Sequence, residues 1–352
     1  SMTHWLGGMG IISLAVAIFP LLGVSGLQLM RAEMPGPDVE KVTPRVTRTA
    51  LILWLIYLSF TALETILLML GGLNLYDALT HTFGTLATGG FSPYNNSIAA
   101  FDSAFIQWVI TFFMLVSGIN FVLHYRLFTA QFRHIQRNSE FRAYFMIFGS
   151  ATLLVTAALL HGGVYGSIFE SLRYGAFQVA SLMTTTGYVT ADYELWPSFA
   201  KAILFAMFFV GGSVGSTGGG IKVMRSLTLA KQSFTELKYL LYPKGVFRTH
   251  VNGSPVNKIF VYSIIGFVFL YFLMLLITTA FVATSGTDLI SSFSAALAVV
   301  GNVGPGFGVV GPTQNYAAFP DYVKIWLSAA MVIGRLEIYT VLIVFTPIFW
   351  RR

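Results

Sequence analysis

Three short stretches of this chain could hold a bare metal cation: Ala87-Thr88-Gly89-Gly90-Phe91, Thr184-Thr185-Thr186-Gly187-Tyr188 and Gly301-Asn302-Val303-Gly304-Pro305. Aligned, they read x-[Thr/Asn]-x-Gly-[Phe/Tyr/Pro], and Gly90, Gly187 and Gly304 lie 97 and 117 residues apart. No side chain in them is charged, so the chemistry on offer is that of the peptide carbonyl. Glycine tolerates φ > 0 and lets backbone oxygens approach a ligand. Rings of carbonyls that replace an ion's water shell are how potassium filters work. A single such turn is weak, because a lone glycine there is as often a helix C-cap. Three in register point to a cation pore. The candidate filter residues are Thr88, Gly89, Gly90, Thr185, Thr186, Gly187, Asn302, Val303 and Gly304, binding K+ through backbone oxygens.

The elements that must position these turns are membrane helices. Of 352 residues 55% are hydrophobic and 10% charged, with a mean hydropathy of +0.73. Soluble domains carry about 25% charge, so this is an integral membrane protein with room for roughly eight to ten spans of ~20 residues. Long apolar runs lie near 9–30, 49–72, 106–131, 143–162, 198–214, 259–284 and 323–349. Shorter apolar pieces at 75–88, 167–183 and 287–300 read as re-entrant half-helices. Asn74, Ser167 and Thr287 suit their N-caps, and Ser167-Ile168-Phe169-Glu170 fits a capping box. The chain thus repeats span, short helix, glycine turn, span. The expected division is 1–30, the second span of an incomplete unit; connection 31–48; unit 49–131; connection 132–142; unit 143–235, its last helix broken; connection 236–255; and unit 256–352. Each turn follows a helix C-terminus, which carries roughly half a negative charge and favours a cation.

Charge sets the orientation. Of 21 Lys and Arg, 17 fall on connections that share one side, whereas the short-helix side carries Asp77, Asp102, Glu170, Asp192, Glu194, Asp288 and Asp321. The positive-inside rule makes the basic connections cytoplasmic and brings the short helices in from outside. The net charge of +7 is then a matter of topology, and no nucleic-acid partner is implied.

A second candidate is Gly211-Gly212-Ser213-Val214-Gly215-Ser216-Thr217-Gly218-Gly219-Gly220, six glycines in ten residues near the middle of a span. Glycine costs about 1 kcal/mol in a helix interior, so the helix should break here. Broken helices at membrane depth mark substrate paths; a close helix-packing surface is the plainer alternative. Ile221 between Gly220 and Lys222 excludes a phosphate-binding P-loop. Arg335 is an ionisable residue within a span and needs a partner or a cavity. It either pairs with Glu64, similarly buried in 49–72, or acts on the glycine stretch. Its neighbour Glu337 lies two residues on, on another helix face.

Other chemistries find little support. With no Cys there is no disulfide, thiolate metal site or cysteine nucleophile. His4, His81, His124, His134, His161 and His250 have no metal spacing and read as loop or core residues. Trp54, Trp108, Trp196, Trp326 and Trp350 read as interface anchors or packing. There is no recognisable catalytic set and no repeated Arg series for a voltage sensor. The chain reads as no enzyme and calls for no cofactor. The alternative to a channel-like pore is an ion-coupled secondary transporter that binds solute at the broken helices. Such transporters often use inverted repeats, and these repeats are parallel.

At these residues the chain resembles the Trk/Ktr/HKT potassium transporter superfamily, most closely its bacterial TrkH-type uptake proteins. The resemblance covers nearly the whole chain. It takes in Trp5-Leu6-Gly7-Gly8-Met9-Gly10-Ile11, Glu33-Met34-Pro35-Gly36-Pro37, the three turns with Gly306, Gly211 to Gly220, and Gly334-Arg335-Leu336-Glu337. It implies an all-α fold of four M1–P-loop–M2 units in pseudo-fourfold repeat around one potassium-channel-like pore, in the bacterial inner membrane. It implies that Gly211, Gly212, Ser213, Gly215, Ser216, Thr217, Gly218, Gly219 and Gly220 form an intramembrane loop obstructing the pore, with Arg335. It also implies a homodimer on a cytosolic ring of nucleotide-binding regulatory subunits. Only three turns are present, and Leu6-Gly7-Gly8-Met9-Gly10 parallels Val210-Gly211-Gly212-Ser213-Val214. The expectation is therefore that at least about 70 residues, carrying the first filter turn, precede Ser1.

Overall fold

Apolar composition and N-capping residues set out a run of helices along this chain. A computed structural model describes residues 1–10, 46–336 and 338–350. Outside the described residues lie most of the 1–30 span, most of the 31–48 connection with Glu33-Met34-Pro35-Gly36-Pro37, and Glu337, Arg351 and Arg352.

Helix α1 (Met2–Trp5) continues into a π turn, Leu6–Gly10. The next unit runs through α2 (Val46–Leu70), α3 (Leu75–Leu86), the turn at 87–91, α4 (Ala104–Ser117) and α5 (Phe121–Phe128). After α6 (Phe132–Arg137) come α7 (Ser139–His161), α8 (Ile168–Met183), the turn at 184–188 and α9 (Ser198–Met207). A non-helical stretch, 208–222, leads to α10 (Val223–Leu241). A hairpin of β1 (His250–Val251) and β2 (Ser254–Pro255) pairs His250 with Pro255 and Val251 with Ser254. The last unit is α11 (Lys258–Ala283), α12 (Leu289–Val300), the turn at 301–305, α13 (Asp321–Arg335) and α14 (Ile338–Val344), followed by α15 (Pro347–Trp350).

Helices α2, α7 and α11 are long and apolar enough to cross a membrane, and only 33–39% of their most apolar windows is buried within the protein. Leu51, Leu55, Ile66, Leu153, Phe269 and Leu276 all point outward. A face of that kind is costly in water and at home in lipid. The protein is therefore a multi-pass, all-α membrane protein. Each short helix packs against the first helix of its unit: α3 on α2, α8 on α7, α12 on α11.

The short helices begin at polar caps. Asn74 Oδ1 accepts from the Asp77 N–H at 2.9 Å. Ser167 Oγ accepts from Phe169 N–H at 3.2 Å, but Glu170 is exposed and no return bond closes the expected capping box. The third helix starts one residue later than its sequence suggests. Asp288, not Thr287, is the cap and accepts from Ser291 N–H at 3.0 Å, while the Thr287 hydroxyl meets that of Ser285. A carboxylate is the stronger acceptor.

The runs 106–131 and 323–349 read as single spans, and each contains a sharp bend. Helices α4 and α5 meet at 101°, and α13 and α14 at 110°. A break in lipid must give its freed backbone groups new partners. Asn120 supplies one by capping Val122 N–H at 2.9 Å, and the glycine stretch supplies others: Ser213 N–H donates to Gly118 O at 2.8 Å and Phe121 N–H to Gly215 O at 3.1 Å. All three units thus bend or break in their last span, where only 198–214 advertised a break.

Asn120→Ala should lower the stability of the detergent-solubilised protein by about 1 kcal/mol, the worth of a lost N-cap, with Asn120→Asp tolerated. Thermal unfolding followed by size exclusion measures it.

Candidate functional site

Each glycine turn begins where its short helix ends in an ordinary αR residue: Ala87, Thr184 or Gly301. The next residue flips to positive φ, Thr88 at 53°, Thr185 at 59° and Asn302 at 57°. Two residues on, Gly90, Gly187 and Gly304 do the same at 63°, 81° and 103°. This αR–αL alternation aims successive N–H groups at one point, here the end of the short helix. In the first turn Thr88 N–H donates to Thr85 O, and Gly89 and Gly90 N–H both donate to Gly84 O. In the second, Thr185 donates to Leu182 O, and Thr186 and Gly187 to Ser181 O. In the third, Asn302 donates to Val299 O, and Val303 and Gly304 to Ala298 O.

A trans peptide is planar with its N–H and C=O pointing oppositely. N–H groups aimed into the short helix therefore send the carbonyls of 87–89, 184–186 and 301–303 away from it. No donor among the described residues reaches the oxygens of Thr88, Gly89, Thr185, Thr186, Asn302 or Val303. Gly304 O differs, accepting from the Tyr316 hydroxyl at 2.7 Å.

The turns lie side by side. A Cβ on Gly90 would sit 1.9 Å from Thr186 O, and one on Gly187 would sit 2.0 Å from Val303 O. Both positions therefore exclude any side chain on contact grounds as well as on φ. Beside the turns opens a cavity of about 520 Å³. Thr88, Gly89, Gly90, Thr186, Gly187, Asn302, Val303 and Gly304 line it, with His4, Lys324 and Arg335. Thr185 does not line it; its hydroxyl oxygen accepts from Gly219 N–H at 2.6 Å.

The glycine stretch runs across the base of all three turns. Thr217 O accepts from the Thr88 hydroxyl and from Arg335 Nη1, each at 2.8 Å. A Cβ on Gly218 or Gly219 would meet Thr184 O or Gly301 O at 3.0 and 2.9 Å. The loop's ends are drawn together by Gly211 N–H donating to Ile221 O at 2.7 Å and Val223 N–H to Gly212 O at 3.1 Å. Ser213 and Thr217 are buried, Ser216 Oγ donates to Ser213 O at 2.6 Å, Lys222 Nζ donates to Gly218 O, and Gly215 and Gly220 take positive φ. Among the described residues Arg335 is not paired with Glu64, whose two carboxyl oxygens are buried and find no hydrogen-bond partner there.

Sequence reasoning missed the groups that tie the units together. The Tyr188 hydroxyl, from the second turn, donates to His81 O at 3.0 Å behind the first turn, and the Tyr193 hydroxyl donates to Gly306 O at 2.7 Å after the third. His81 itself bridges Asp77 O and Ser92 Oγ. Among the described residues no group of His, Asp and Glu could hold a metal ion.

Repeated helix–short helix–turn–helix units whose carbonyl-bearing turns meet beside one cavity define a membrane protein built around a pore. The TrkH family profile, described as a cation transport protein, matches residues 1–351, and the chain belongs to this family of transporters rather than to any enzyme class. It is 40% identical to the Trk system potassium uptake protein TrkH of Escherichia coli K12, over 100% of this chain and 73% of that one. It is 41% identical to the protein of the same name from Vibrio parahaemolyticus, over 99% and 72%. The crystal structure of the potassium transporter TrkH from Vibrio parahaemolyticus superimposes with a TM-score of 0.85 at 38% identity, over 99% of this chain and 71% of that one.

Thr185→Val should leave the buried Gly219 N–H unpaired and cost about 1–3 kcal/mol, while Thr185→Ser restores the bond. Gly187→Ala should cost at least as much, since left-handed backbone alone costs an L-residue about 1–2 kcal/mol. Melting temperatures of the purified variants rank these effects.

Proposed function

We propose that this protein takes up potassium across a bacterial cytoplasmic (inner) membrane through a gated pore. The observation that carries the reading is the common aim of the turn carbonyls. An entering K+ gives up water and meets peptide oxygens already turned toward it, with no side chain to reorganise and three helix C-termini behind them. Uptake of potassium is also what the Trk relatives are named for. The basic connections would face the cytosol and the turns the outside, supported by 17 of 21 Lys and Arg on one side.

In this reading Gly211 to Gly220 and Arg335 are the gate. The loop lies under all three turns, and the Thr217 carbonyl is held by a guanidinium that lines the cavity. A positive charge within about 4 Å of a passing K+ opposes it by about 4 kcal/mol at an effective dielectric of 20, nearly three decades in occupancy. Opening then consists of withdrawing the loop and releasing Arg335. A homodimer on a cytosolic ring of nucleotide-binding regulatory subunits rests on the family resemblance.

Full-length protein in liposomes should accumulate rubidium, with potassium competing better than sodium. Flux strictly coupled to a second ion would instead favour the secondary-transporter reading. Arg335→Ala, or a deletion within 211–220, should raise cation flux; unchanged or lower flux in a folded variant removes the gate.

A further inference from the structure

Glu140, in the first turn of α7, played no part in the sequence reading. It is only 2% exposed. Charged side chains are rarely buried so far without a specific use for the charge. Its Oε1 accepts from the Val214 N–H at 2.8 Å. Val214 lies three residues before Thr217, in backbone that belongs to no helix or sheet and draws its partners from elsewhere. We propose that Glu140 is a positioning residue for the glycine stretch, and that the hairpin at 250–255 locks it in place. The connection at 236–255 is thereby tied mechanically to the proposed gate. The inference rests on the reading of 211–220 as a gate and goes beyond it, by naming what holds that loop from the side of the basic connections.

Two independent contacts join the hairpin to this point. The hairpin tip is Asn252-Gly253, both at positive φ, 52° and 82°, the pairing a tight two-residue hairpin requires. Asn252 grips the residue next to Glu140: Ser139 N–H donates to Asn252 Oδ1 at 2.7 Å, and Asn252 N–H donates to Ser139 Oγ at 3.3 Å. Behind this pair, Val251 of the hairpin packs with Val214 of the loop and Met224 of α10, all nearly inaccessible. The hairpin is fastened along α10 as well, by Lys231 Nζ to His250 O at 2.9 Å and Thr249 Oγ1 to Gln232 Oε1 at 2.7 Å. Helix α10 starts directly after the loop. A pull on the connection therefore reaches Val214 by its side chain, through Val251, and by its N–H, through Ser139 and Glu140. A carboxylate acceptor suits the second route, because a charge-assisted bond is about twice as strong as a neutral one.

The test uses full-length protein in liposomes with two readouts: rubidium influx, and the rate at which a membrane-impermeant thiol reagent on the side of the basic connections modifies Ser216→Cys. The chain has no native cysteine, so this reporter stands alone. Glu140→Ala should raise both by about tenfold, the value of one lost charge-assisted hydrogen bond. Glu140→Gln keeps an acceptor and should stay within about threefold of the parent. Asn252→Gly keeps the left-handed backbone, removes only the bridging amide, and should shift both readouts in the same direction by less. If Arg335→Ala raises both and Glu140→Ala raises neither, the inference fails and the gate stands. If Arg335→Ala and the loop deletion also change nothing, the gate reading falls and takes this inference with it. Glu140→Gln matching Glu140→Ala overturns the hydrogen-bond account. Should Glu140→Ala not assemble, Asn252→Gly decides, and unchanged values there overturn the proposal.

Discussion

A planar trans peptide points its N–H and C=O in opposite directions, and that constraint organises this structure. In each turn three consecutive N–H groups are spent on carbonyls at the end of the preceding short helix. The oxygens left over all point the other way. Positive φ at Thr88, Thr185 and Asn302 and again at Gly90, Gly187 and Gly304 is what bends the chain far enough for this. In the first two turns the second of the pair must also admit a neighbour, since Thr186 O and Val303 O occupy the space where side chains of Gly90 and Gly187 would stand. One backbone pattern, used three times, leaves oxygens unpaired in each turn and lets neighbouring turns touch.

The same need to satisfy backbone groups without water explains the bends. Each last span is interrupted, and the first two interruptions serve one another: Gly118 O and Phe121 N–H find Ser213 N–H and Gly215 O. The glycine stretch is thus both an irregular segment needing partners and the supplier of partners for a neighbouring break. Other groups of the stretch bond Thr88, Thr185, Arg335 and Glu140. These four come from separate elements, so the loop's position is set jointly by several units.

Outside this centre the architecture is plainer. Long first helices turn aliphatic side chains outward and back the short helices, while Tyr188 and Tyr193 stitch adjacent units through single hydroxyls. Each short helix, seated on the long helix before it, carries the turn and its unpaired oxygens.

Much of this was legible in the residues. Low charge and long apolar runs determine a membrane protein, spacing determines three repeated turns, and Asn74 and Ser167 announce their helices, because each of these signals is local. The bends within 106–131 and 323–349 were not legible, since an apolar run long enough to cross reads the same whether straight or bent. Nor were the partner of Arg335 or the role of Glu140 as an acceptor. Those bonds join residues 118 and 74 positions apart, and only packing brings them together. Sequence determined which backbone could bear bare oxygens; tertiary structure decided how the turns sit against one another and what restrains the loop beneath them, because both depend on contacts between units that no local pattern encodes.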